Sequence, residues 1–337
     1  MTETLPTSPT SPAEPLVRAE RLTKRYHVRT RTGRRTLTAV DGVDLQVPAG
    51  RILAVVGESG CGKSTTGRLL LALERPDEGT VWIEGQDINA LSSGDLRRLR
   101  RDIQPIFQDP YDSLNGRMRV GKLLSEPSRV HRIDPPAGRT VPELLDLVNL
   151  SPDYADRYPH ELSGGQRQRV AIARSIALDP KFIVCDEPVS ALDVSVQAQV
   201  VNLLRRLQRD LGLAYVFISH DLALVRYLAH ETAVMYLGRV VERGNTETLF
   251  RNPRHPYTQL LLASVPRPRV DDRARAKPAV AMGELPSPLD RPVGCVFSTR
   301  CPLATDLCRT EEPPLRAIGD QPHQAACHYA ETAQAAA

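Results

Sequence analysis

The sequence predicts an α/β fold: a parallel sheet wound around a phosphate-binding loop and followed by a cysteine-bearing tail. Three observations carry this. Short apolar runs rich in β-branched residues stand at Arg51–Val56, Phe182–Asp186 and Leu213–Ser219, the pattern of strands buried on both faces. Between the last two, Val194–Leu211 places apolar residues at 194, 200, 201, 204, 207 and 211 with polar ones between, which reads as an amphipathic helix. Strand, helix, strand with a right-handed crossover builds a parallel core. Third, GESGCGKS (Gly57–Ser64) follows the first run and opens the helical stretch GKSTTGRLLLAL. It fits the Walker A pattern in the context that pattern requires.

Length and composition set the limits. At about 150 residues per domain, 337 residues hold one large domain and an appendage. Hydrophobic residues at 41% and charged residues at 25% are an ordinary globular balance. With 44 basic and 40 acidic residues the net charge is +4, too mild to mark a nucleic-acid binder. No run approaches the roughly 18 apolar residues of a membrane-spanning helix. The opening MTETLPTSPTSPAEP has no apolar centre, so residues 1–15 read as a flexible arm and not as a secretory signal. The chain is expected to work in the cytoplasm, reaching the membrane only through a partner.

In the loop, glycines let backbone N–H groups turn inward on phosphates, and the helix N-terminus adds its dipole. Lys63 is expected on the β- and γ-phosphates and the Ser64 hydroxyl on Mg²⁺. The nucleotide-binding set is Gly57, Glu58, Ser59, Gly60, Cys61, Gly62, Lys63, Ser64 and Thr65, with no chemistry assigned to Cys61. A second acidic element ends the run FIVCD: Asp186 is expected to hold Mg²⁺ and Glu187 to polarise the attacking water. Cys185 reads as a small buried hydrophobe. LRRLRR (Leu96–Arg101) reads as a solvated basic helix face.

LSGGQRQR (Leu162–Arg169) resembles the signature motif of ATP-binding cassette (ABC) ATPases. The resemblance runs from about Val17 to Pro266 and implies several roles. Ser163, Gly164 and Gly165 would close on ATP held by a partner subunit. Tyr26 matches the aromatic that stacks on adenine. Gln108, in IFQDPYDSLN, matches a glutamine that senses Mg²⁺ and couples to the membrane subunit. Ser190–Asp193 matches the D-loop, and His220 the switch histidine at the γ-phosphate. The implied cassette has a RecA-like parallel-sheet core, an antiparallel β subdomain and a helical subdomain at about 109–165, together filling 16–265. Glu187, His220 and Gln108 form its catalytic set; Ser64, Gln108 and Asp186 its Mg²⁺ set.

The Gln108 segment, RNPRHPYTQLLLASVP (Arg251–Pro266) and the tail GELPSP…GCVFSTRCPLATDLCRTEEPPL are similar to ATPases of oligopeptide and dipeptide importers. CGKSTTGRLLL and the DPY after Gln108 resemble the F-type of their two paired ATPases. Gly116, where the family often has proline, departs from the pattern. The implied partners are a D-type ATPase in a heterodimer, two permease subunits and, indirectly, an extracytoplasmic substrate-binding protein, with no nucleic acid. The implied site of action is the cytoplasmic face of the cell membrane. ABC ATPases of DNA repair or translation are the alternative class, but they usually insert long coiled coils or zinc modules between the two motifs. Here Gly57 and Leu162 lie 105 positions apart. A catalytically dead regulatory cassette is disfavoured by the presence of Lys63, Asp186, Glu187 and His220.

The region 266–337 reads as an extension folding apart from the phosphate loop. Cys295, Cys301, Cys308 and Cys327 have five, six and eighteen residues between successive members. That is not the spacing of a zinc knuckle. Four thiolates on loops suit a 4Fe–4S cluster, and the similarity to the importer tail, where some members carry one, favours it. Zinc, with His323 or His328 as further donors, and unligated thiols remain alternatives.

Overall fold

The structure, a computed structural model, describes residues 14–31, 33–109, 113–133, 139–264, 286–319 and 322–332. The expected N-terminal arm falls almost wholly outside these residues, as does the proline-rich stretch 265–285.

β1 (Val17–Thr30) and β2 (Gly33–Val47) form a long antiparallel hairpin, with Thr30 opposite Gly33 and Val17 opposite Val47. Val43, Leu45 and Val47 point inward between exposed neighbours, the alternation of a sheet with one wet face. β3 (Ile52–Val56) is buried at every residue, as its unbroken apolar run requires. The phosphate loop follows it and leads into α1 (Lys63–Leu70). β4 (Glu78–Ile83) returns to β1, and β5 (Gln86–Asp87) completes a four-stranded antiparallel sheet of order β2-β1-β4-β5.

α2 (Ser93–Leu99) carries the basic run. Its arginines are spent on the protein itself: Arg97 donates to the Val130 carbonyl, Arg100 to that of Ala72, and Arg98 pairs with Asp95. β6 (Ile103–Ile106) follows, then α3 (Val120–His131), α4 (Val141–Leu147) and α5 (Gly164–Ser175). β7 (Phe182–Asp186), α6 (Val194–Leu211), β8 (Ala214–Ile218), α7 (Leu222–Leu228) and β9 (Glu231–Tyr236) complete the alternating core. α6 starts and stops on its local signals, an Asp193 N-cap accepting from Val196 N–H and Gly212 in the left-handed region. Its buried face is Val200, Val201, Leu203, Leu204 and Leu207. Val194, expected on that face, is 82% exposed; it is the first helical residue, ahead of the turns that pack on the sheet.

β10 (Arg239–Asn245), α8 (Thr246–Arg251) and α9 (Pro256–Ala263) lead to the tail, which holds α10 (Asp306–Thr310), β11 (Arg316–Ala317) and β12 (Gln324–Ala325). The main sheet has the order β11-β12-β10-β9-β3-β8-β7-β6. β9, β3, β8, β7 and β6 run parallel, while β10, β12 and β11 add antiparallel at one edge. The tail therefore does not fold apart from the cassette. β12 pairs with β10 at Glu242↔Ala325 and Arg243↔Gln324, and Cys295, Val296, Phe297 and Cys308 enter the same apolar core as β3, β7, β8 and the helices. The other sheet face packs on α1 and the antiparallel strands. Among the described residues no helix is long and apolar enough to cross a membrane.

Candidate functional site

In a parallel sheet, ligands gather beyond the carboxyl ends of the strands. The phosphate loop leaves β3, Asp186 ends β7 and His220 follows β8, three strands that are neighbours in the sheet. Glycine is required at two loop positions. Gly57 has φ +154° and Gly62 φ +105°; a Cβ on either would stand 2.2 Å from a carbonyl oxygen, of Met235 and Ala39 respectively. The backbone is thereby held against β9 and β2. Lys63 is 5% exposed, and its ammonium donates to the carbonyls of Gly57 at 2.8 Å and Glu58 at 3.0 Å.

Ser64 Oγ donates to Asp186 Oδ1 at 3.0 Å, so a hydroxyl and a carboxylate from two elements converge where one cation could take both. Burial raises the Asp186 pKa from its ordinary value, against the Ser64 hydrogen bond. A carboxylate costly to ionise alone is one that a cation would relieve. Glu187 adopts φ +47°, an uncommon conformation for a side-chain-bearing residue. It is held there by its N–H to the Ile218 carbonyl at 3.0 Å and by its own carbonyl accepting from Ser190 N–H and Oγ. Its Oε2 lies 3.3 Å from His220 Nδ1. Cys185 is fully buried with its thiol pKa pushed up by burial, and Cys61 is buried inside the loop.

The remaining expected residues are dispersed. Tyr26 is half-buried, its hydroxyl donating to Glu74 and lying near Thr65 at the start of α1. Gln108 is exposed two residues past β6. Nearby, Phe107, Val130, Glu126, Arg174 and Leu114 line a groove of about 360 Å³. Ser163 caps α5 through a reciprocal pair: its hydroxyl accepts from Gln166 N–H, and Gln166 Oε1 accepts from Ser163 N–H at 3.0 Å. It is exposed, and the bonds that fix it stay within its own helix start. The fold thus joins the phosphate loop, Asp186, Glu187 and His220, and leaves Ser163 exposed at the start of another helix, with Gly164 and Gly165 half-buried behind it.

Two contacts at the loop had no motif to announce them. The Tyr257 hydroxyl accepts from Glu58 N–H at 2.9 Å, and Arg300, from the tail, donates to the Glu58 carboxylate. The tail cysteines also converge. Cys295, Cys301, Cys308 and Cys327 line one narrow cavity of about 10 Å³ with His255, Phe297 and Leu303. All four are free thiols. Burial raises the pKa of Cys295 and of Cys327 to about 11, and that of Cys301 in the same direction. Among the described residues no three His, Cys, Asp or Glu side chains close on a single metal ion. The thiols surround a space without meeting at a point.

Comparison with known proteins gives a consistent picture. The ABC transporter family model matches residues 40–190. The model for the C-terminal region of oligopeptide/dipeptide transporters matches 241–308, starting inside β10. A putative oligopeptide transport ATP-binding protein, YkfD of Bacillus subtilis strain 168, is 49% identical over 304 residues, 89% of this chain and 92% of that protein. The di/tripeptide transport ATP-binding protein DppF of Pseudomonas aeruginosa UCBPP-PA14 is 47% identical over 323 residues, 94% and 98% of the two chains. Among solved structures, the dimeric post-hydrolysis state of the ATP-binding cassette MJ0796, bound to ADP and Pi, aligns with TM-score 0.60 and 29% identity. It covers 68% of this chain and 98% of that one.

Proposed function

Because the chain belongs to the ABC transporter ATPases, in the oligopeptide/dipeptide branch, we propose that it is the F-type ATP-hydrolysing subunit energising a peptide importer. The observation that carries the reading is the line of groups beyond β3, β8 and β7: Lys63 in the loop, Ser64 on Asp186 at 3.0 Å, and Glu187 at 3.3 Å from His220. Lys63 and the backbone amides of the Gly57–Thr65 loop bind the phosphates of ATP, and Tyr26 offers its ring to adenine. Ser64 and Asp186, joined by Gln108 as the family resemblance implies, would hold Mg²⁺, which supplies neutralisation of phosphate charge when bound. Glu187 orients the attacking water and takes its proton, and His220 fixes the Glu187 carboxylate and reaches the γ-phosphate.

Ser163, Gly164 and Gly165, with Ser163 exposed and bonded only within its own helix start, are proposed to act on ATP bound by a second ATPase. The ADP-bound dimer of the related cassette supports that reading, and a D-type subunit is the proposed partner. The groove at Phe107 and Val130, both exposed and apolar, is proposed to receive a cytoplasmic helix of a permease. That docks the subunit peripherally on the cytoplasmic face of the membrane, below two permeases fed by a substrate-binding protein.

For the tail we propose a 4Fe–4S cluster, a reading supported by four free thiols lining one cavity. When bound, the cluster would supply a cross-link and a one-electron redox centre. Cys295, Cys301, Cys308 and Cys327 would be its ligands, and Phe297 and Leu303 would keep water from it.

The test of the ATPase assignment is a pair of variants in the assembled transporter. Glu187→Gln keeps the shape of the side chain and is expected to bind ATP while turnover falls at least about a hundredfold. Lys63→Ala is expected to weaken ATP binding itself by roughly ten- to a hundredfold, the loss of charge-assisted bonds. Wild-type hydrolysis by Glu187→Gln would overturn the assigned base.

A further inference from the structure

We propose that Arg300, carried by the tail, is a positioning residue for the phosphate loop, setting nucleotide affinity through Glu58. This rests on the assignment of Gly57–Ser64 as the ATP site. Each polar group of Glu58 is taken by a different element. The carboxylate accepts from Arg300 Nη1 at 3.1 and 2.9 Å. The N–H donates to the Tyr257 hydroxyl of α9 at 2.9 Å. The carbonyl accepts from Lys63 Nζ at 3.0 Å. The residue on which the phosphate-binding lysine leans is thus itself clamped from α9 and from the tail.

The pair is sheltered: the side chains of Arg300 and Glu58 are 13% and 30% exposed, so water competes for the guanidinium less than at an open surface. The guanidinium also lies over the rings of Tyr236 at 5.9 Å and Phe297 at 6.0 Å. Phe297 in turn packs on Tyr236 and Tyr257 at centroid distances of 5.3 and 5.4 Å. Rings packed edge-on and tilted on one side and a carboxylate on the other bracket the guanidinium.

Charge makes the contact matter to the ligand. Glu58 is one residue into a loop built to receive a polyanion, and its carboxylate would repel the triphosphate unless neutralised. Among the described residues, Arg300 makes the ion pair that neutralises it. Arg300 is aimed by the turn that walls the cysteine cavity: its N–H donates to the Phe297 carbonyl at 3.0 Å, and Phe297 and the next residue, Cys301, both line the cavity. The conformation of the cysteine-bearing turn and the electrostatics of the phosphate loop are therefore joined through one side chain.

The test is titration of the full chain with a fluorescent ATP analogue and Mg²⁺, with the fold of each variant checked by circular dichroism. Arg300→Ala is expected to raise Kd about tenfold, the uncompensated carboxylate facing the phosphates. Adding Glu58→Gln removes that charge and is expected to bring Kd back to within about threefold of wild type, a rescue that no purely structural role of Arg300 would produce. Arg300→Met, which keeps the apolar stem against Phe297 and Tyr236, makes the same comparison if the alanine variant does not fold. A folded Arg300→Ala or Arg300→Met protein binding within twofold of wild type overturns the proposal, as does a loss that persists undiminished in the double variant. Lys63→Ala, measured alongside, separates the two readings. Unchanged binding in Lys63→Ala overturns the ATP-site assignment, whereas loss there with none in the Arg300 variants overturns only the positioning role.

Discussion

Replacing His323 by alanine tests whether the tail is part of the cassette's cooperative fold. His323 is 4% exposed, and the Glu242 carboxylate it meets, on β10, is fully buried. Nε2 lies 2.7 Å from Glu242 Oε1, and the carboxylate also accepts from Arg254 N–H at 2.6 Å and His255 N–H at 2.9 Å. Those two amides survive the substitution, so Glu242 is not stranded and the full cost of breaking a buried pair does not apply. What is lost is one hydrogen bond to a charged group, about 2 kcal/mol. The packing of the imidazole against Gly244 contributes about 1 kcal/mol more. A loss near 3 kcal/mol should lower the main Tm by roughly 6–12 °C for a domain of this size. Calorimetry on the full chain reads it directly. If the tail melted as its own unit, a small early transition would shift and the main one would stay. That result would refute the joint fold.

Two further outcomes are expected. The His230 pKa is lowered from 6.5, chiefly by burial, with Nδ1 accepting from Ile52 N–H at 3.0 Å. Its folded-state pKa lies below the unfolded one, so the unfolded chain takes up the proton first and stability falls as pH drops through and below about 6.5. His230→Asn should show a shallower decline in urea midpoint between pH 8 and 5; an identical slope would remove His230 as a contributor. In the tail, anaerobically purified protein should be brown, with broad absorption near 400 nm and about four irons per chain, and Cys301→Ser should bleach it. ATP affinity is not expected to be indifferent to that change, because Cys301 adjoins Arg300. Colourless protein holding zinc or no metal would rule out the cluster.

What could be read from the sequence was what is locally determined. The phosphate loop is legible because its glycines answer constraints a few residues away, and β3, β7 and β8 because burial on both faces writes an uninterrupted apolar run. α6 is legible to its ends because Asp193 and Gly212 are chemical stop signs. Val194 escaped because periodicity cannot say where along a helix the packing begins. The tail escaped for a different reason: β11 and β12 are two residues each, too short to carry a period of two. Their place is set by Glu242, His323 and an edge left open by β10. Arg300 and Glu58 lie 242 positions apart, and nothing in the sequence of either names the other.

The signature segment shows why a motif read for one purpose hides another. Ser163, Gly164 and Gly165 read as an anion-binding helix start, which explains the serine and the exposed amides. It does not by itself explain why glycine is needed at 165. A Cβ there would stand 2.5 Å from Val196 Cγ1, and one at 164 would stand 3.4 Å from Leu192 Cδ2. α5 therefore starts in close packing against the segment that leads into α6, the same Ser190–Asp193 stretch that follows Glu187. Movement of this helix start has to be accommodated by Leu192 and Val196. The carbonyl of Glu187 is tied to that stretch through Ser190. The start of α5 and the backbone of Glu187 thus share one packed segment, which runs from Ser190 to Val196.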